Sequence, residues 1–182
     1  SDKEIIKEVA KHYEIIRVDN KKETSCKAYY LSKTGAFGNL LKFYNLKDKR
    51  SGDKFIPDVA LHSDLNYRKR LLAGLIDTDG YYNKKGSYEY TSKSKRLIED
   101  IVYLIKSIGG RCHNIKEKIK TIKSTGFKGK YYSIHFYVGD IELPLMCERK
   151  KRDITSFYLS PNRVAIDLRL SEPSTVYGFT LD

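Results

Sequence analysis

The ten residues Leu71–Gly80, which read LLAGLIDTDG, constrain the fold of this chain more than any other stretch. Leu72, Leu75 and Ile76 recur at helical spacing, and this apolar stripe predicts one buried face of an α-helix. A buried helix must pack against other elements, because its apolar face is stabilised only when water is excluded from it. The remaining chain is therefore expected to be organised around this helix.

Both ends of the helix carry sequence signals. Ser63 or Asp64 can accept hydrogen bonds from the first free backbone N–H groups, so the helix is predicted to begin there. Gly80 is expected to end it in the left-handed conformation. Ala73 and Gly74 lie near its centre, and side chains this small would let another backbone approach closely.

Two carboxylates in the last turn, Asp77 and Asp79, are the unusual feature of the helix. The helix dipole disfavours negative charge at this end by roughly 0.3–1 kcal/mol for each group. A carboxylate kept there suggests a bound cation, and Mg²⁺ fits because it prefers oxygen ligands and retains waters and phosphates. The alternative is an ordinary amphipathic helix that ends in a solvated Asp-Thr-Asp-Gly turn, because Asp-Gly turns are common.

The stretch Leu72–Gly80 resembles the LAGLIDADG signature of homing endonucleases, from which it differs only by Thr78 in place of alanine. The resemblance extends beyond this signature. Ile56-Pro57 and Asn39–Leu46 resemble the segments that precede the second motif helix in intein-encoded members of the family. Tyr177–Asp182 resembles the first strand of the C-terminal splicing block of inteins.

This resemblance implies an α+β class and the LAGLIDADG endonuclease fold, a pseudo-duplicated αββαββα unit. Residues 1–66 are then expected to be the remainder of a first endonuclease half. Residues 67–152 would be the second half, which carries the motif helix. Residues 153–182 would be a linker and a β tail from a Hint-type splicing domain. The first motif helix is expected to be absent from this chain.

Hydrophobic periodicity predicts the other elements independently of the resemblance. Helices are predicted at residues 1–13, 39–44 and 95–108, with a short one at 140–151. Strands are predicted at residues 15–18, 28–31, 81–82, 87–91, 111–120 and 130–138. The order helix, strand, strand occurs at both ends of this list, which is the pattern that a duplicated unit would leave.

The charge of the chain points to a polyanionic partner. Lysine and arginine number 35 against 23 acidic residues, which gives a net charge of +12 and a pI near 9.4. A basic chain of this size suits nucleic acid, although a generally basic protein is the alternative. Three widely spaced cysteines indicate structural thiols in a reducing compartment. The absence of a secretory signal and of long apolar runs predicts an intracellular protein with no membrane partner.

The chemistry is implied by the resemblance rather than by spacing. The last acid of the motif, Asp79, would be the metal ligand and a catalytic residue, and Asp77 would cap or support the helix. Two motif helices would bring two such acids together, where divalent ions assist phosphodiester hydrolysis. Lys130 matches the family lysine that precedes the last strand, and Lys27 is its counterpart in the first half. A lysine that extends from a strand end into solvent is the alternative for both.

Strand parity predicts a basic face for DNA. In a strand that spans residues 111–120, alternate positions Cys112, Asn114, Lys116, Lys118 and Lys120 would share one side. Such strands could lie in the major groove, where phosphate contacts give affinity and base-edge contacts give sequence preference. The residues expected to bind DNA are Lys84, Lys85, Arg111, Lys116, Lys118, Lys120, Lys123 and Lys128.

The sequence therefore predicts a site-specific, Mg²⁺-dependent double-stranded DNA homing endonuclease domain associated with intein-mediated protein splicing. A DNA-binding-only domain or an intron maturase that uses the same fold is the alternative. Because one motif supplies one acid, the partners would include the missing intein segments or a second chain with the other motif helix. Splicing by this chain alone is not expected, because no terminal His-Asn pair is present.

Overall fold

The computed structural model describes residues 3–20, 27–32, 34–83, 86–121, 126, 128–151 and 175. Its helices are α1 (Lys3–His12), α2 (Ala36–Phe43), α3 (Asp58–Leu61), α4 (Leu65–Asp79) and α5 (Lys95–Ser107). Its strands are β1 (Ile15–Asn20), β2 (Lys27–Leu31), β3 (Tyr81–Tyr82), β4 (Tyr88–Ser92), β5 (Arg111–Cys112), β6 (Lys116–Thr121) and β7 (Lys128–Tyr137). The α+β class that the sequence predicts is confirmed.

The strands after α4 form one five-stranded antiparallel sheet. Its order is β3–β4–β7–β5, and β6 also pairs with β7 on the side occupied by β5. Helices α4 and α5 contact one face of this sheet. The core lies between them and consists of fully buried residues from the helices and from the central strands, among them Ile76, Ile98, Ile101, Ile134 and Phe136.

Side-chain caps begin the two core helices, and the cap of α4 is one of the two residues that the sequence predicts. Asp64 caps α4, because its Oδ1 accepts hydrogen bonds from the backbone N–H groups of Asn66 at 2.8 Å and Tyr67 at 3.0 Å. Ser94 caps α5 by accepting from the N–H of Leu97 at 3.1 Å, and its hydroxyl also donates to the carbonyl of Lys54. These caps satisfy donors that a helix cannot satisfy internally.

A one-residue slip separates β5 from β6. Cys112 pairs with Phe136 of β7, whereas Lys116 pairs with Ser133, so three residues of one strand lie opposite two of the other. Such a bulge reverses the face on which all later side chains stand. The predicted continuous strand over 111–120 is therefore wrong. Even-numbered side chains face the core in β5 and the opposite face of the sheet in β6.

Two further elements differ from the predictions. The short helix α3 was not expected, and it buries Ala60 and Leu61 against the core. The helix predicted at 140–151 is wrong, because residues 140–147 are irregular and only Glu148–Lys150 forms a 3₁₀ turn. Pro144 has no backbone N–H to donate, and the N–H groups of residues 146 and 147 bond elsewhere.

The N-terminal elements follow the predicted order of helix, strand, strand. Strands β1 and β2 form a separate two-stranded antiparallel sheet. The internal duplication and the boundaries at residues 66 and 152 remain predictions. The expected splicing-domain tail at 153–182 lies outside the described residues apart from residue 175. Among the residues that the structure describes, no helix is long and apolar enough to cross a membrane.

Candidate metal and nucleic-acid site

The last turn of α4 ends differently from the expectation. Gly80 has φ −76° and ψ 155°, which is extended rather than left-handed backbone, so the predicted left-handed cap is wrong. Glycine is still required there, because a Cβ would stand 2.7 Å from Cα and 2.9 Å from the carbonyl oxygen of Ile76. Close approach of the backbone, and not a positive φ, accounts for this glycine.

Asp77 is a buried structural carboxylate. It is 1% exposed, and its two oxygens accept hydrogen bonds from the backbone N–H groups of Met146 at 2.8 Å and Cys147 at 3.1 Å. A carboxylate that accepts two backbone N–H groups is well compensated for its loss of water. Asp77 therefore joins the end of α4 to the irregular segment that follows the sheet.

Lys150 satisfies the carbonyl groups that a helix leaves free at its C-terminus. Its ammonium group donates to the carbonyl oxygens of Ile76 and Asp77, both at 2.7 Å, and of Thr78 at 3.4 Å. The side chain is 2% exposed, and a buried cation at this pole is favoured by the helix dipole. Lys150 was not among the predicted site residues, because nothing in the run Glu148–Arg152 distinguishes it from its neighbours.

Asp79, in contrast, is exposed at the tip of the same helix. Its Oδ2 lies 3.5 Å from the hydroxyl of Tyr90 on β4, which is the long end of the hydrogen-bond range. Burial, and then the nearby negative charge of Asp79, raises the pKa of Tyr90 above its ordinary value. Tyr90 thus stays protonated and acts as a donor toward Asp79. The end of α4 is held firmly while one of its two carboxylates remains open to ligands.

Neither of the two lysines predicted to be catalytic forms a hydrogen bond or an ion pair with Asp79 among the described residues. Lys130 is exposed on β7, and its ammonium group lies 2.8 Å from Glu117 of β6. The hydrogen bond to Glu117 raises the pKa of Lys130. Lys130 stands four residues along β7 from Ile134, the pairing partner of Tyr90, which is about 13 Å of extended strand. Lys27 begins β2 in the separate two-stranded sheet.

The face of the sheet opposite the helices is called the open face below. Successive side chains of a strand point to opposite faces of the sheet, so the residues between the core residues of each strand lie on the open face. The pairing of the strands shows which residues these are. They are Tyr81, Glu89, Thr91, Arg111, Lys116, Lys118, Tyr131, Ser133, His135 and Tyr137. Lys120 shares this register, although the structure describes only its backbone. The open face is thus rich in cationic and aromatic groups.

The slip before β6 corrects the predicted composition of this face. Cys112 packs against the hydrophobic core, and burial raises the pKa of its thiol to about 11. Asn114 lies in the break between the strands. Arg111 therefore shares the open face with Lys116 and Lys118, whereas Cys112 and Asn114 do not. Lys128 begins β7 in an exposed position, and Lys84, Lys85 and Lys123 lie outside the described residues.

Gly74 faces open space on the side of α4 away from the core, because a Cβ built there meets no atom within 4 Å. Ala73, the other small residue, is 2% exposed and belongs to the core. The two small residues therefore have different roles. Ala73 packs in the core, whereas Gly74 leaves space on the helix surface for the backbone of another element. Tyr67 and Thr78 continue this surface at helical spacing, and half-buried Leu71, which also packs against the core, lies at its border.

We predict that Gly74→Ala raises the free energy of unfolding of the isolated chain by about 0.5–1 kcal/mol. Alanine restricts the unfolded chain and suits a helix interior, and the space for its methyl group is present. Urea unfolding followed by circular dichroism measures the change. Gly80→Ala on the same helix is the matched contrast, with an expected loss of about 1–3 kcal/mol from overpacking against Ile76. Destabilisation by Gly74→Ala would show that this face is already occupied in the isolated chain.

Part of this chain is similar in sequence to known proteins. Residues 66–152 match a family model described as a LAGLIDADG-like domain. The chain is 36% identical over 69 residues to the replicative DNA helicase DnaB of Mycobacterium intracellulare, which covers 38% of this chain and 12% of the helicase. It is 31% identical over 106 residues to the homothallic switching endonuclease of Saccharomyces cerevisiae, which covers 55% of this chain and 18% of the endonuclease. The matched residues contain nearly all of α4 and the five-stranded sheet, so the similarity to LAGLIDADG-like domains covers the part of the chain that carries Asp79. The chain spans less than a fifth of the length of either relative.

Proposed function

We propose that this chain is part of a site-specific homing endonuclease that hydrolyses phosphodiester bonds of double-stranded DNA. The observation that carries the proposal is the contrast at the end of α4. Asp77 and Lys150 are buried and hold the helix end in place, whereas Asp79 at the same end is exposed. A carboxylate that is held rigidly and left open is suited to bind a ligand.

A divalent cation, Mg²⁺, suits this carboxylate as one ligand among several. Magnesium ions are usually held by one or two carboxylates together with waters and substrate phosphates. Across the described ranges, no group of three or more His, Cys, Asp or Glu side chains could hold a metal by itself. Asp79 would therefore share the ion with a second acid and with the DNA. The ion would supply Lewis-acid stabilisation of charge on the phosphate.

The chain's own residues would position the DNA and the carboxylate. The hydroxyl of Tyr90 restrains one oxygen of Asp79, and Lys150 fixes the turn from which Asp79 projects. Arg111, Lys116 and Lys118 on the open face would neutralise phosphates, and this neutralisation makes binding favourable and salt-dependent. The protein would therefore bring the DNA to Asp79 through the sheet.

The second acid would come from another motif helix that packs on the Gly74 side of α4. The surface of Tyr67, Leu71, Gly74 and Thr78 is exposed or half-buried, and Gly74 leaves room for a neighbouring backbone. The hydroxyl of Thr78 bonds to the carbonyls of Gly74 and Leu75, so it does not require a partner across the interface. Missing intein segments or a second copy of the chain would supply this helix.

An association with an intein is the finer part of the proposal. This chain is similar to a small part of a replicative DNA helicase and to a small part of a switching endonuclease. A helicase and a switching endonuclease are different classes of protein, and a mobile element inserted into one of them would explain why both resemble the same chain. This sharing supports an inserted endonuclease domain and does not extend helicase activity to this chain.

A DNA-binding domain that does not cut is the second candidate. It is favoured by the end of α4, where Asp79 is exposed and Asp77 is buried, because cleavage of both strands needs two open acids. The two candidates differ in one respect: an endonuclease requires that the chain, alone or as a pair, assembles a complete metal site, and a DNA-binding domain does not. An intron maturase would share this binding face.

The experiment that tests the proposed function has two steps. Duplexes bound by the full 182-residue chain are first selected from a randomised library in Ca²⁺, and the enriched sequence is cloned into a supercoiled plasmid. We expect nicked or linear plasmid with Mg²⁺ and none with EDTA. Sequence-specific binding without cleavage would support the second candidate. Failure to enrich any sequence would contradict both.

A further inference from the structure

The open face contains one carboxylate among its described side chains, and this carboxylate is central. Glu89 on β4 is 26% exposed, and its Oε1 lies 3.2 Å from the ammonium group of Lys118 and 3.7 Å from Nε2 of His135. The other oxygen, Oε2, forms no hydrogen bond or ion pair with the residues that the structure describes. An acceptor therefore remains available in the middle of a basic surface.

The register places a buried hydroxyl beneath the pair of Glu89 and Lys118. Glu89 pairs with His135 of β7 and Lys118 pairs with Tyr131, so the line between them crosses β7 at Ser133. Ser133 is fully buried, and its Oγ has no hydrogen-bond partner among the described residues. A buried hydroxyl without a partner is costly, which suggests that a ligand or water completes it.

Charge decides which part of DNA can approach this point. A phosphate is repelled by the carboxylate of Glu89, whereas Lys118 is attracted to phosphates and can be drawn away from Glu89. A base edge that offers a donor is attracted instead. In the major groove, the exocyclic N4 amino group of cytosine is the donor that Glu and Asp side chains accept. Serine hydroxyls can contact either donors or acceptors of a base edge.

We propose that Glu89 is a specificity-determining residue that selects cytosine at one position of the DNA site. Its carboxylate accepts a hydrogen bond from the N4 amino group, and Ser133 provides a second polar contact when Lys118 moves aside to a phosphate. This inference rests on the proposed function, because it requires that the open face binds duplex DNA. Glu89 thus weakens the electrostatic attraction of the open face for DNA and makes binding depend on the base at one position.

The test compares the full chain with Glu89→Gln in selections from a randomised duplex library at fixed ionic strength. We expect the unsubstituted chain to prefer cytosine by about tenfold or more at one position. Glutamine pairs with adenine, so Glu89→Gln is expected to lose that preference and to shift it toward adenine at the same position. Other positions of the site should keep their base preferences.

Glu117→Gln is the matched control. Glu117 is also a carboxylate paired with a lysine on the same sheet, but it stands on the opposite face, where its pair with Lys130 is exposed. It should leave every base preference unchanged. Lys118→Met is a second probe, and it should keep the cytosine preference while the dependence of affinity on salt falls by about one phosphate contact.

Two results would overturn the inference, and they are distinguishable. If Glu89→Gln keeps the base profile and only steepens the salt dependence, Glu89 merely restrains Lys118. If the unsubstituted chain enriches no sequence at all, the proposed DNA function fails and the inference fails with it. Circular dichroism of each variant verifies that a lost preference does not arise from unfolding.

Discussion

Asp79→Asn is expected to reduce DNA cleavage by about 1,000-fold or more while the fold remains intact. Loss of the proposed metal ligand would remove several kcal/mol of transition-state stabilisation, and each 1.36 kcal/mol is a factor of ten in rate. Asp79 is exposed and contacts Tyr90 only at 3.5 Å, so its removal should change the free energy of unfolding by less than about 0.5 kcal/mol. Cleavage of a selected plasmid site and urea unfolding measure the two quantities.

Asp77→Asn is the matched control, because it makes the same chemical change two residues earlier. Both oxygens of Asp77 accept backbone N–H groups, and an amide replaces one of these acceptors with a donor. We expect a loss of about 2–3 kcal/mol in the free energy of unfolding. If Asp79→Asn destabilised the chain as much as Asp77→Asn, or if it cleaved normally, Asp79 would not be the open metal ligand.

The sequence predicted α4 well because its signals are local. The apolar spacing, the capping carboxylate of Asp64 and the final glycine all lie within the helix or next to it. The distinction between Asp77 and Asp79 is not local. Met146 and Cys147, which bond Asp77, follow it by about seventy residues, and no pattern near the motif reveals them. The residues alone place two acids at one helix end, and the family resemblance assigned the ligand role to Asp79 and a supporting role to Asp77. The backbone contacts that bury Asp77 are visible only in the fold.

The sequence identified the basic residues of the open face but only partly predicted which of them share one side of the sheet. Strand parity is reliable while a strand is continuous, and it fails at a bulge. Because of the slip between Cys112 and Lys116, Cys112 faces the core, and Arg111 instead shares the open face with the lysines of β6. The pair of Glu89 and Lys118 was missed for a similar reason. These residues belong to strands separated by β7, and the pairing of three strands must be known before their proximity can be recognised.

Lys150 shows how a residue can support the site without any motif of its own. The last carbonyls of a helix need donors, and in α4 a side chain that is distant in sequence supplies them. The backbone carbonyl of Lys150 in turn accepts a hydrogen bond from the hydroxyl of Tyr88 at 3.1 Å. The 3₁₀ turn, the sheet and the motif helix are therefore joined next to Asp79.

Lys150→Met is expected to lower the free energy of unfolding by about 3–5 kcal/mol. Methionine has nearly the same length, so the change removes the ammonium group and leaves up to three carbonyl groups without this donor in a buried place. Lys151→Met is the matched control, because Lys151 is 47% exposed and its pair with Glu148 is on the surface. That change should cost less than about 0.5 kcal/mol. Urea unfolding of both variants tests the difference, and equal effects would mean that Lys150 does not hold the end of the motif helix.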